Sequence, residues 1–161
     1  MVEKVETQPR KTTEPKNNSN SSKKALSKRT TEMPSDWSGV DKVIKVRTKP
    51  GLKFDVDVLE VNAGDRIRID FENPDDMPHN FLIVMPETAN EVGQRALRLG
   101  IKGNELGYIP DMPEVLYHTK LLQPGDSDTI YLVAPDEPGE YTFVCTYPGH
   151  YISMRGKFIV K

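Results

Sequence analysis

Residues 66–71 read Arg-Ile-Arg-Ile-Asp-Phe, with Ile67, Ile69 and Phe71 on one side of an extended chain. A period of two marks a strand with one face in a core. Residues 43–47 and 54–61 repeat the pattern, and residues 62–65, Asn-Ala-Gly-Asp, supply a turn between strands. Residues 80–84 differ, because Phe81 to Val84 are apolar without a break. Such a run fits a strand covered on both faces. Residues 117–122 and 129–133 add two strands around a Pro124-Gly125 turn. Tyr141, Phe143 and Cys145 share one face of the next strand, and residues 156–160 close the set. Short strands separated by turn signals predict an all-β sandwich or barrel.

One stretch, 88–100, has a helical period. Ala89, Val92, Ala96 and Leu99 fall on one face, Thr88-x-x-Glu91 reads as a capping box, and Gly100 suits the C-terminal cap. Gly93 inside it costs about 1 kcal/mol relative to Ala. The Gly- and Pro-rich stretch that follows, as far as Pro113, is predicted as a partly mobile loop.

Before Trp37 the patterning stops. Residues 6–34 are Thr, Lys, Pro, Asn and Ser, with only Ala25, Leu26 and Met33 apolar. A segment of this composition does not bury enough surface to offset its chain entropy. Residues 1–36 are therefore predicted as a disordered polar tail and 37–161 as the folded domain, with Trp37 packing on its edge. The tail holds eight Lys and Arg against five Asp and Glu, whereas the rest holds fourteen against nineteen. A basic tail precedes an acidic domain, and a net charge of −2 gives no reason to expect a nucleic-acid partner. Two readings fit the tail: a tether to a membrane anchor or another domain, or a solvated terminus. Residues 1–4, Met-Val-Glu-Lys, do not open a signal peptide, and no apolar run is long enough to span a membrane.

The candidate chemistry is concentrated near the C-terminus, in Cys145-Thr-Tyr-Pro-Gly-His150-Tyr-Ile-Ser-Met154. Cys145 is the single cysteine, and His79 lies upstream in Met77-Pro-His-Asn80. One thiolate, two imidazoles and a thioether form the ligand set of a blue-copper site. Pro148-Gly149 turns the chain so that His150 returns to the metal that Cys145 reaches. His79 comes from a different strand, so the site exists only in the folded domain. The alternatives are a buried structural Cys with a core Met, or a zinc site, although zinc binds thioether poorly. His118, on an alternating strand, is predicted at the surface with no metal role.

The C-x4-H-x3-M loop resembles the ligand loop of azurins and the related auracyanins within the cupredoxins. It differs from the shorter loops of plastocyanins and amicyanins. Met77-x-His79-Asn80 resembles the azurin segment with the first histidine ligand, and Tyr117-His-Thr-Lys-Leu-Leu122 the strand after azurin's helical insertion. Tyr141-Thr-Phe-Val-Cys145 resembles the strand that leads to the Cys. The likeness covers about residues 40–161. It implies a Greek-key β-sandwich of cupredoxin fold with one helical insertion, and one type 1 copper per chain. His79, Cys145 and His150 would be the strong ligands and Met154 the axial one. The carbonyl of Pro78, where azurins usually have Gly, would be a second weak axial contact. Asn80 and Thr146 would tie the two ligand segments together. Met77, Tyr147, Pro148 and Gly149, with Met85 or Met112 beside them, would form a docking patch for partners. The chain departs from azurins in having no second Cys for their disulfide, and in Phe81 where azurins often carry a core Trp.

The implied function is one-electron transfer between redox partners such as c-type cytochromes or copper and haem oxidoreductases, without catalysis. The implied location is extracytoplasmic, in the periplasm or on the outer face of a membrane, with a leader or anchor removed from this chain. Two alternatives stay open: a copper storage or delivery protein, or an electron-transfer domain of a larger copper or haem enzyme. Three histidines are too few for the further copper sites of multicopper oxidases or nitrite reductases.

Overall fold

A computed structural model of the chain describes residues 26–161. Residues 1–25, most of the predicted tail, lie outside the described residues, and so does the expectation of disorder for them. Among the described residues nine strands form two sheets that face each other. The first contains β1 (Lys42–Lys49), β2 (Lys53–Phe54), β4 (Arg66–Glu72) and β7 (Ser127–Val133), in the order β2-β1-β4-β7. The second contains β3 (Val58–Val61), β5 (Leu82–Val84), β6 (Val115–His118), β8 (Gly139–Val144) and β9 (Arg155–Val160), in the order β3-β9-β8-β5-β6. Both sheets are mixed: β1 runs parallel to β4 and β3 parallel to β9, and the other pairs are antiparallel.

The alternating strands bury the face that the pattern predicts. Ile44 and Val46 of β1 and Ile67, Ile69 and Phe71 of β4 meet Ile83, Tyr141, Phe143 and Phe158 of the other sheet. Phe54 lies edge-on to Phe71, Phe81 and Phe143 at 5.3–6.0 Å between ring centroids. Each such pair adds about 0.5–1.5 kcal/mol to the burial of its area. This aromatic cluster stiffens the sandwich below Cys145, which belongs to the same core.

The unbroken apolar run of β5 also has its reason. Ile83 faces the sandwich, while Leu82 and Val84 face a second cluster with Ala89, Val92, Met112, Val115, Val144 and Tyr151. Helix α1 (Ala89–Leu97) covers that outer face. The predicted capping box does not form: the Thr88 hydroxyl donates to Met85 O at 2.7 Å and makes no cap bond to the helix. Arg98, not Gly100, ends the helix, and Gly100 opens a 3₁₀ turn, Gly100–Lys102. Gly93 is required by packing, since a Cβ there would sit 2.0 Å from Cγ of Tyr151.

Residues 54–61 do not form one strand. Phe54 pairs with β1, whereas Val58–Val61 pairs with β9 in the other sheet, so the chain crosses between sheets at 55–57. The parity of the inward residues changes there: Phe54 and Val56 pack on the core, then Leu59 and Val61, while Val58 is exposed.

Within the predicted tail, residues 26–36 are paired with the domain. Residues 26–36 run over the open edges of both sheets. His118 N–H donates to Lys28 O at 2.9 Å on β6, and Tyr131 N–H to Thr30 O at 2.8 Å on β7. The Arg29 guanidinium makes two bonds to the Asp128 carboxylate, at 2.9 and 3.0 Å. Backbone pairing at an edge strand needs no apolar side chains, which is why composition does not reveal it. Trp37 then packs edge-on to Tyr131 at 6.4 Å, under the Arg66 guanidinium. No helix among the described residues is long and apolar enough to cross a membrane.

Candidate metal centre

Two segments meet at one end of the sandwich. The first is the loop between β4 and β5, which ends at His79. Asn73 organises it: its Nδ2 donates to Met77 O at 2.8 Å and Leu122 O at 3.1 Å, and its Oδ1 accepts from Thr48 Oγ1 and from Asp75 N–H. His79 exchanges backbone bonds with Leu122, at 3.1 and 2.8 Å, so its ring is carried on a paired backbone. The second segment is the loop 145–154 between β8 and β9. Cys145 N–H donates to Met154 O at 3.0 Å, and Met154 N–H to His150 O at 2.9 Å, so the loop is closed at its base. Gly149 takes a left-handed φ of 83°, which admits the sharp turn into the 3₁₀ segment His150–Ile152.

Asn80 joins the two segments. Its Nδ2 donates to Thr146 Oγ1 at 3.0 Å and to Gly107 O at 2.9 Å, and its Oδ1 accepts Thr146 N–H at 2.8 Å. Thr146 Oγ1 in turn donates to Tyr108 O at 2.7 Å. Gly107 and Tyr108 are both left-handed, with φ of 64° and 55°. This double turn brings the Gly107 carbonyl to Asn80 on the His79 segment and the Tyr108 carbonyl to Thr146 on the metal loop.

The donor atoms converge. Cys145 Sγ lies 3.8 Å from His79 Nδ1 and 3.7 Å from His150 Nδ1. All three residues are buried, and their donor atoms lie within 4.8 Å of one another. Metal bonds of about 2.0 Å to N and 2.3 Å to S that open at about 120° separate N from S by about 3.7 Å. The two S–N spacings therefore suit one ion held by Cys145 and both histidines, and a His2Cys set is the donor set of blue-copper sites. Met154 is fully buried in the same core cluster as Cys145.

The electrostatics suit a cation. Without one, burial pushes the Cys145 thiol up to about 12, although backbone N–H groups of Asn80 and Tyr147 act in the opposite direction. Burial, then the neighbouring His79, lowers His150 to about 4, so its imidazole is neutral and open to a metal at pH 7. The other ring nitrogen of His79, Nε2, lies 2.8 Å from Asp75 Oδ2. That hydrogen bond is the largest influence holding the Asp75 carboxyl below its usual range. Sequence reasoning misses Asp75. The signal was an acid four residues before a ligand histidine, since metal-bound imidazoles usually donate their second N–H to a carboxylate or carbonyl.

The remaining candidates divide. Met77 is 37% exposed, Pro148 and Gly149 are exposed, and Tyr147 is half-buried with its ring 5.0 Å from that of His150. Met85 does not join them: it follows β5 at the opposite end from His79. Met112 is buried in the second core cluster. His118 is half-buried rather than at the surface, with Nδ1 2.9 Å from Thr119 O and its pKa lowered by burial. It stands outside the donor cluster.

His79, Cys145, His150 and Met154 thus make the His-Cys-His-Met set of a type 1 copper site, in a two-sheet β-sandwich of cupredoxin fold. The chain belongs to the copper binding proteins of the plastocyanin/azurin family, which match residues 40–161. Auracyanin-B of Chloroflexus aurantiacus is 29% identical over 123 residues, which are 73% of this chain and 51% of that protein. Outer membrane protein H.8 of Neisseria meningitidis is 36% identical over 83 residues, 50% of this chain and 43% of that one. The chain therefore spans about half the length of these two relatives. The solved structure of dithionite-reduced auracyanin from Roseiflexus castenholzii has a TM-score of 0.68 and 32% identity, over 76% of this chain and 99% of its own.

Proposed function

We propose that the protein carries single electrons between redox proteins, and that it is not an enzyme. The observation behind this reading is the convergence of Cys145 Sγ and two Nδ1 atoms at 3.7 and 3.8 Å, held by the Asn80 bonds. A bound copper ion would supply the Cu(II)/Cu(I) couple. The chain's part is to hold one geometry for both charges, shut out water and expose one edge. A buried donor set of this kind argues against storage or delivery, which need ligands that exchange. Met154 would supply a thioether to the ion, and Pro78 its backbone carbonyl, as weak ligands.

His79 has no exposed surface and His150 keeps 3%, so electrons enter at the edge of the His150 ring. Met77, Tyr147, Pro148 and Gly149 surround it as the docking patch, joined by Ile152, which is 71% exposed. An apolar rim suits the dry faces of partners such as c-type cytochromes or copper and haem oxidoreductases. Likeness to an outer membrane protein supports an extracytoplasmic location, in the periplasm or on the outer face of a membrane, with the tail as tether. Met77→Lys and Pro148→Glu test the face. Each should slow electron self-exchange, measured by NMR line broadening at fixed ionic strength, and leave the copper spectrum unchanged. Unchanged rates in both variants would move the docking face elsewhere.

A further inference from the structure

Asp75 is the one acidic side chain among the described residues that touches a ligand of the metal centre. Its carboxylate is 7% exposed, and its bond to His79 Nε2 is 2.8 Å. Its own backbone is fixed, because Asp75 N–H donates to the Asn73 side chain at 3.1 Å. Asn73 is itself buried and bonded to Thr48, Met77 and Leu122. The acid therefore belongs to a built support, unlike its neighbour Asp76, which is exposed.

We propose that Asp75 is the positioning residue for His79 and that its charge lowers the reduction potential of the site. This rests on the copper reading above. Two consequences follow from the geometry. A carboxylate at Nε2 accepts the ring proton there, so the neutral imidazole presents a lone pair at Nδ1, the atom facing Cys145. A backbone carbonyl would fix the same tautomer without adding charge. The carboxylate also puts a full negative charge one imidazole ring away from the metal, in a site closed to water. That charge stabilises the higher oxidation state more than the lower.

Three variants separate the two roles. Asp75→Asn keeps the shape and an acceptor oxygen but loses the charge. Asp75→Ala loses both, and Asp76→Asn is the exposed control. In copper-free protein, long-range ¹H–¹⁵N spectra should show His79 with its proton on Nε2 in the wild type and in Asp75→Asn. Asp75→Ala should show the two tautomers mixed, with Cu(II) affinity about 10–100-fold weaker. In copper-loaded protein, voltammetry should show the ratio of Cu(II) to Cu(I) affinity about tenfold lower in Asp75→Asn, a potential about 59 mV higher. Asp76→Asn should change that ratio by less than about twofold, as a solvated charge does. An unaltered Nε2 tautomer in Asp75→Ala overturns the positioning role. An unshifted potential in Asp75→Asn, or an equal shift in Asp76→Asn, overturns the electrostatic one. If the wild type forms no blue copper complex, the copper reading has failed instead, and the copper-free spectra still decide how His79 is held.

Discussion

Asn80→Ala should be one of the costlier single substitutions near the metal. The side chain has no exposed surface and makes three hydrogen bonds that join the His79 segment, the Cys145 loop and the insertion. Removing it leaves the Thr146 N–H and the Gly107 carbonyl without their partners. A buried polar group so orphaned costs about 1–3 kcal/mol, and the small cavity adds to this. Thr146 Oγ1 keeps its bond to Tyr108 O, which limits the damage. The expected loss is about 3–4 kcal/mol, a large share of the roughly 5–15 kcal/mol that stabilises a domain. Urea denaturation of the copper-free protein reads it directly. Thr146→Val should couple to Asn80→Ala by about 1 kcal/mol in a double-mutant cycle, the worth of one buried hydrogen bond. A loss below about 1 kcal/mol, with no coupling, would refute the idea that Asn80 locks the two segments together.

Gly93→Ala should destabilise by about 1–3 kcal/mol through overpacking against Tyr151, despite its higher helix propensity. Thermal denaturation showing stabilisation would mean that Tyr151 moves freely. Copper affinity should rise with pH by at least about tenfold per unit below about pH 8, because the Cys145 thiol at about 12 must lose its proton to bind. The slope should steepen below about pH 4, where His150 also takes up a proton. Calorimetry in buffers of different ionisation enthalpy counts the protons released, and a count of zero would mean that the thiolate is already formed. Met154→Leu should raise the reduction potential and Met154→Gln lower it, since a harder oxygen ligand favours Cu(II). Equal potentials by voltammetry would remove Met154 from the site.

The strands were legible where one face is buried, because Ile67, Ile69 and Phe71 report the core by alternation alone. The ligands were legible because few residue types bind copper and three of the four lie within ten residues of sequence. The crossing at 55–57 was harder to see. Phe54, Val56 and Val58 keep one parity through the break, and only the exposure of Val58 reveals that the register has changed. The strap at 26–36 was illegible for another reason: its attachment is through backbone groups of Lys28 and Thr30, which composition does not record. Thr88 shows that a capping motif states an option, since its hydroxyl has a competing carbonyl at Met85. Met85 and Met112 needed the fold, because polarity alone does not say which end of β5 faces the metal.

Cys145, His79 and His150 are proposed to hold one copper ion through a thiolate and two imidazoles. Titrating the copper-free protein with Cu(II), followed by visible absorption, tests it most directly. An intense thiolate-to-copper band should appear, saturate at one ion per chain and be lost in Cys145→Ser, with far-ultraviolet circular dichroism unchanged. A weak, nearly colourless Cu(II) complex in the wild type, or a blue complex that survives Cys145→Ser, would contradict it.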